Sequence, residues 1–127
     1  MQNPEPSNFN QQLRDRTMNF AVRLKDHIKS SKIPLIDRSA ISQLLRCSSS
    51  VAANTRSATR ARSDAEFYSK ICIVTEEIDE TQFWLEYLTN TGTLSIEGTA
   101  WLRSESDHLV RLFTSIKKKM REKLKTP

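Results

Sequence analysis

Residues 63–90 read SDAEFYSKICIVTEEIDETQFWLEYLTN, and their spacing decides the fold class. Phe67, Ile71, Val74, Ile78, Thr81, Leu85 and Leu88 step by alternating fours and threes, a 3.5-residue seam of the kind that packs helix against helix. Ser63 followed three residues later by Glu66 forms a capping box at the start, in which each side chain satisfies an orphan backbone donor. Gly92 stands just past the end, where a left-handed residue closes a helix. A helix of this length spans about 40 Å, so one short partner cannot cover it. The rest of the chain has to supply further helices.

Working outward from this seam, Phe9, Leu13, Thr17, Phe20, Leu24 and Ile28 form a stripe at three- and four-residue spacing, ended where Pro34 disfavours helical geometry at Ile33. A second helix is carried by Ala40, Ile41, Leu44, Leu45, Ser48, Val51, Ala52, Thr55 and Ala58. Its middle, CSSSVAANT at 47–55, is built almost wholly of small residues that admit close helix approach, with Ser and Thr bonding back to preceding carbonyls. Phe67, Phe83 or Trp84 are the expected bulky counterparts. Asn54 lies among these small residues, and Glu76 or Glu77 on the third helix are its expected partners. After NTGTLS, Ser95 is positioned to cap a fourth helix whose stripe is Leu102, Leu109, Leu112, Phe113, Ile116, Met120 and Leu124.

The sequence therefore predicts an all-α, up-down-up-down four-helix bundle with helices at about 9–30, 37–60, 64–90 and 96–124. Residues 1–8, with two prolines and no periodicity, read as a flexible arm, and residues 9–127 as one domain. No window approaches 18 consecutive apolar residues, and MQNPEPSNFNQQ has neither the basic start nor the apolar core of a secretory signal. A cytoplasmic location without a membrane span is the expectation. Cys47 and Cys72 are isolated and read as buried free thiols.

The charge is segregated. Residues 9–70 hold twelve basic against five acidic side chains, residues 71–107 one against eight, and residues 108–127 seven against one. Acidic and basic blocks can attract each other within a bundle or between subunits, and unpaired basic blocks attract polyanions. Arg56, Arg60 and Arg62 flank the turn between the second and third helices, while Lys117, Lys118, Lys119, Arg121, Lys123 and Lys125 crowd the end of the fourth. An alternating bundle brings both sets to one end, where they suit the neutralisation of phosphates. This gives nine candidate nucleic-acid-binding residues.

Catalytic and metal chemistry find no such support. A ferritin-like di-metal site needs two Glu-x-x-His pairs, and Glu105 with His108 supplies one, so a solvated polar face is expected there. Glu76, Glu77, Asp79 and Glu80 lack nearby histidines and read as structural, meeting Asn54 or basic neighbours. Two glycines leave no phosphate loop, and no G-x-S-x-G elbow occurs. Neither an enzyme nor a cofactor or metal site is expected.

The run SVAANTRSATRARSDAEFYSKICIVTEEIDETQFWLEYL at 50–88 resembles a bacterial four-helix-bundle family first noticed in proteins encoded by intervening sequences of large-subunit ribosomal RNA. That family also includes the accessory variability determinant of diversity-generating retroelements. The shared pattern is Arg46, Ser50-Val51, Ala53-Asn54, Arg62-Ser63, Phe67, Lys70, Glu76-Glu77, Glu80-Thr81 and Trp84-Leu85-Glu86. Ser57 departs from a Glu common three residues after the Asn, and Cys47 stands where Ser is common. The resemblance implies a bundle assembled into a ring-like homo-oligomer, often pentameric. It also implies basic surface suited to RNA or DNA and, in the retroelement case, to a reverse transcriptase partner. Together these readings favour a non-enzymatic, oligomeric nucleic-acid-binding bundle, with a protein-interaction scaffold as the alternative.

Overall fold

The computed structural model describes residues 6–125, with side chains described from Asn8 onward. Four helices follow one another: α1 (Pro6–Lys29), α2 (Arg38–Thr59), α3 (Asp64–Asn90) and α4 (Ala100–Lys125). Among the described residues there is no strand. Each helix packs on the next in the chain, and α4 closes back on α1, so the architecture is the expected four-helix bundle.

The α3 seam is buried as its spacing requires. Ile71, Val74, Ile78, Thr81, Leu85 and Leu88 are all inaccessible, and Phe67 is half-buried against the same core. They meet Phe20 and Leu24 of α1, Leu44 and Val51 of α2, and Leu109 and Phe113 of α4 in one hydrophobic cluster. Thr81 and Thr55 tolerate burial because each hydroxyl donates to the carbonyl four residues back, Glu77 at 2.8 Å and Val51 at 2.7 Å. The ends of α3 form as its sequence dictates. Ser63 Oγ accepts from the Glu66 N–H at 3.1 Å, while the Glu66 carboxylate reaches the N–H of Arg62 at 3.4 Å, one residue short of the Ser63 N–H that a capping box uses. Gly92 takes φ +80°, and the chain turns so that Leu94 N–H donates to the Leu88 carbonyl at 3.0 Å.

Several expectations are corrected. Helix α1 begins at Pro6, where a missing N–H costs nothing in a first turn, so residues 6–8 are helical; residues 1–5 of the expected arm lie outside the described residues. Helix α4 starts at Ala100 because Ser95 caps a separate turn, its Oγ accepting from Gly98 N–H at 2.9 Å. Phe83 is no counterpart to the small residues of α2, being 54% exposed, whereas Trp84 is half-buried against the core. Of the two thiols, Cys47 is buried and Cys72 half-buried.

The largest correction concerns Glu105. It is not on a solvated face: it is buried at 9% exposure and receives both Nε and Nη2 of Arg16 at 2.9 Å. His108 is exposed, with Nδ1 3.8 Å from the same carboxylate. This two-pronged contact ties α4 to α1, the least intimate pair of neighbours in the bundle. The Arg16 guanidinium, through its hydrogen bonds first, holds the Glu105 carboxyl below its ordinary value of 4.5. A carboxylate shifted downward adds stability above that value and loses it as pH falls through its folded pKa.

Two measurements follow from this packing. Ile78→Ala, which empties the centre of the seam, should lower unfolding free energy by about 2–5 kcal/mol in urea, with an unchanged m-value. Glu105→Gln should cost about 1–2 kcal/mol at neutral pH, less than a fully buried pair because Arg16 is partly exposed. The difference between the two proteins should shrink below pH 4.5, and a constant difference down to pH 3 would show that the ion pair is not its source.

Candidate nucleic-acid interface

The basic residues converge because the helices alternate in direction. The C-terminus of α4 lies beside the N-terminus of α3: Lys123 Nζ is 3.0 Å from the Asp64 carboxylate, and Arg121 Nε donates to the Tyr68 hydroxyl at 3.3 Å. The N-terminal half of α1 lies beside the C-terminus of α2, where Arg14 Nη1 donates to Thr59 Oγ1 at 2.7 Å. One end of the bundle thus carries Arg56, Arg60 and Arg62 together with the 117–125 run, as expected, and gains Arg14.

Within this end the cations divide by what they already hold. Lys123 and Arg121 serve the bundle, joining α4 to α3, and hydrogen bonding to Tyr68 raises the Arg121 pKa further. Arg14 is engaged by Thr59 and Gln11. By contrast Arg56, Arg60, Arg62, Lys118, Lys119 and Lys125 are exposed, Lys117 is half-buried, and none of these seven forms a side-chain ion pair among the described residues. These uncommitted charges are the ones a polyanion can use without dismantling the fold.

The acidic face of α3 has a different set of partners from those expected. Asn54 does not reach Glu76 or Glu77. Its Nδ2 donates to the Ser50 carbonyl at 3.0 Å and to Ser50 Oγ at 2.9 Å, one turn back on α2. The short Asn side chain finds acceptors for its amide locally, so it has no need to cross between helices. The residue that does cross is Arg46, whose guanidinium lies 2.8 Å from Glu80 and 3.4 Å from Glu77. Its length and five donors let it span the gap that Asn54 cannot. Glu76 stays exposed. Arg46 was visible in the sequence only as part of the shared pattern, since a polar helix residue's cross-helix partner is not set by spacing along its own chain.

Further along α3, Phe83 and Tyr87 stack at 6.1 Å and Trp84 stands edge-on to both. Phe83 and Tyr87 are 54% and 44% exposed, among the acids Glu76, Asp79 and Glu86. Trp101, 36% exposed, has the Arg23 guanidinium 3.5 Å from its ring centroid. Among the described residues no group of three or more His, Cys, Asp or Glu could hold a metal ion. No helix there is long and apolar enough to cross a membrane.

The comparisons with known proteins bear on this arrangement. Residues 10–115 match the model of the 23S rRNA-intervening sequence protein family. The chain belongs to this family. Among solved structures it is similar to a crystal structure of a protein of unknown function from the S23 ribosomal protein family of Bacteroides thetaiotaomicron VPI-5482. The two are 32% identical with a TM-score of 0.72, over 84% of this chain and 98% of that one. No functionally curated protein matches.

The hydrogen bonding of Asn54 carries a test. With both acceptors on its own helix, Asn54→Ala should cost no more than about 1 kcal/mol in a urea titration. A loss of about 3 kcal/mol would indicate an inter-helix bond.

Proposed function

We propose that this intervening-sequence family member is a non-enzymatic bundle that binds nucleic acid, and RNA before DNA, through its basic end. The observation that carries the reading is the convergence of Arg56, Arg60, Arg62, Lys118 and Lys119 at one end without acidic partners among the described residues. Cations gathered in one place repel one another, and a bound polyanion relieves that repulsion. The family's link to a ribosomal RNA element favours RNA. A role accessory to a reverse transcriptase would draw on the same basic end.

A second reading rests on the exposed Phe83–Tyr87 stack among acids: the chain assembles with copies of itself, as the resemblance to ring-forming, often pentameric bundles implies, and offers a protein-interaction scaffold. Light scattering after size exclusion tests the assembly, because a single species near 14.6 kDa would overturn the oligomer.

The nucleic-acid reading is tested by filter binding against ionic strength. Affinity for single-stranded RNA should fall linearly in a log–log plot, and Lys118→Ala with Lys119→Ala should reduce the slope by roughly 0.7 for each phosphate no longer neutralised. Absence of binding to any RNA or DNA at low salt would sink the proposal.

A further inference from the structure

Near the basic end, a cleft of about 350 Å³ opens between α1 and α2 and holds charges that the bundle's own packing does not use. Asp15 lines it from α1, Arg56 and Arg60 from α2, and Met18 and Ala52 add apolar surface to it. Opposite charges around one small cleft can close into a salt bridge, though exposed pairs gain little by it. Here neither arginine pairs with Asp15 or with any other acid among the described residues. Asp15 is held instead by the side-chain N–H of Gln11 at 2.7 Å. Arg14, which also borders the cleft, is occupied by Thr59 and Gln11. The cleft therefore holds an acceptor and two cationic donors that form no ion pair with one another, beside the apolar surface of Met18 and Ala52.

A ligand that fills this space must place an anion at Arg56 and Arg60, N–H donors at Asp15, and a body with apolar faces over Met18 and Ala52. The volume lies at the lower end of small-ligand sites, which run from roughly 300 to 1,000 Å³. A nucleotide meets each demand, with its phosphate as the anion and its base as the apolar body. The carboxylate then selects among bases. Guanine offers adjacent N1–H and N2–H₂ donors that match the two oxygens of Asp15, whereas uracil offers one N–H between two carbonyls that a carboxylate repels.

We propose that the α1–α2 cleft seats a guanine nucleotide, its phosphate on Arg56 and Arg60, its base edge on Asp15 and its ring over Met18. Two sources carry this chemistry. An unpaired guanosine in RNA rests on the nucleic-acid reading above; a free guanine nucleotide does not.

The test uses the full chain with its methionine methyl groups labelled, because Met18 reports the cleft and Met120 reports helix α4. Guanosine monophosphate should shift the Met18 methyl resonance and uridine monophosphate should not. In fluorescence anisotropy at low salt, a short oligouridine strand with one central guanosine should bind roughly tenfold or more tightly than oligouridine alone, the range of a two-pronged base contact. Asp15→Ala should equalise the two strands, and Arg56→Ala with Arg60→Ala should weaken both. None of these three side chains belongs to the core, so the variants should fold, which circular dichroism checks.

Equal affinity for the two strands in the unsubstituted chain, or a guanosine preference that survives Asp15→Ala, overturns the assignment and leaves the nucleic-acid reading standing. If no strand binds while guanosine monophosphate alone moves Met18, the cleft stands with the free nucleotide as its ligand and the nucleic-acid reading falls. A Met18 resonance that responds to neither nucleotide, alongside equal strand affinities or none, overturns the cleft outright.

Discussion

Burial of the α3 seam is the constraint on which the rest of the structure depends. Six of its residues are wholly or almost wholly removed from water, and each apolar side chain so buried contributes about 1.5–3 kcal/mol. Because α3 is too long to be covered by one partner, α2 and α4 must both lie against it, antiparallel, and the short connections at Arg60–Ser63 and Thr91–Thr99 enforce this. Helix α1 is then left to complete the bundle, and it does so by packing on α2 and by the Arg16–Glu105 clasp to α4.

That arrangement determines where charge accumulates. Antiparallel neighbours place the C-terminus of α2, the N-terminus of α3 and the C-terminus of α4 at one end, so two basic segments more than fifty residues apart in sequence become one surface. Among the described residues the structural duties within this surface fall to Lys123, Arg121 and Arg14, each of which ties one helix to another. Among the described residues the remaining cations of the set form no such ties. Binding a polyanion there would draw on charge the fold does not need, and so would not oppose folding stability. The same separation of duties holds on the acidic side. Glu77 and Glu80 are engaged by Arg46, while Glu76, on the same helix as the exposed Phe83 and Tyr87, is not.

What could be read in the chain varied with how local the cause was. The α3 seam, its Ser63 cap and its Gly92 stop are consequences of residues within a few positions of each other, and all three are found in place. The convergence of the basic segments also followed from sequence, since it needs only helix count and alternation. Asn54 was misassigned to Glu76 or Glu77 because its local partner Ser50 competes successfully, a contest that spacing does not reveal. Glu105 was misread for the opposite reason. A lone Glu-x-x-His on a polar stretch looks solvated until an arginine from a helix 89 residues away arrives to neutralise it.

The sequence by itself determined the helices, their order, the end at which positive charge gathers and the core face of each helix except at the exposed Phe9 and Leu124, because hydrophobic periodicity and turn chemistry are encoded over short distances. Only the tertiary structure decided which charges are engaged and which are not: Arg46 on Glu77 and Glu80, Arg16 on Glu105, Lys123 on Asp64, with Asp15, Arg56 and Arg60 left apart around one cleft. Those pairings depend on rotation about the helix axes and on side-chain reach across the gaps between helices. Neither quantity is fixed until the packing of the core sets the helices against one another.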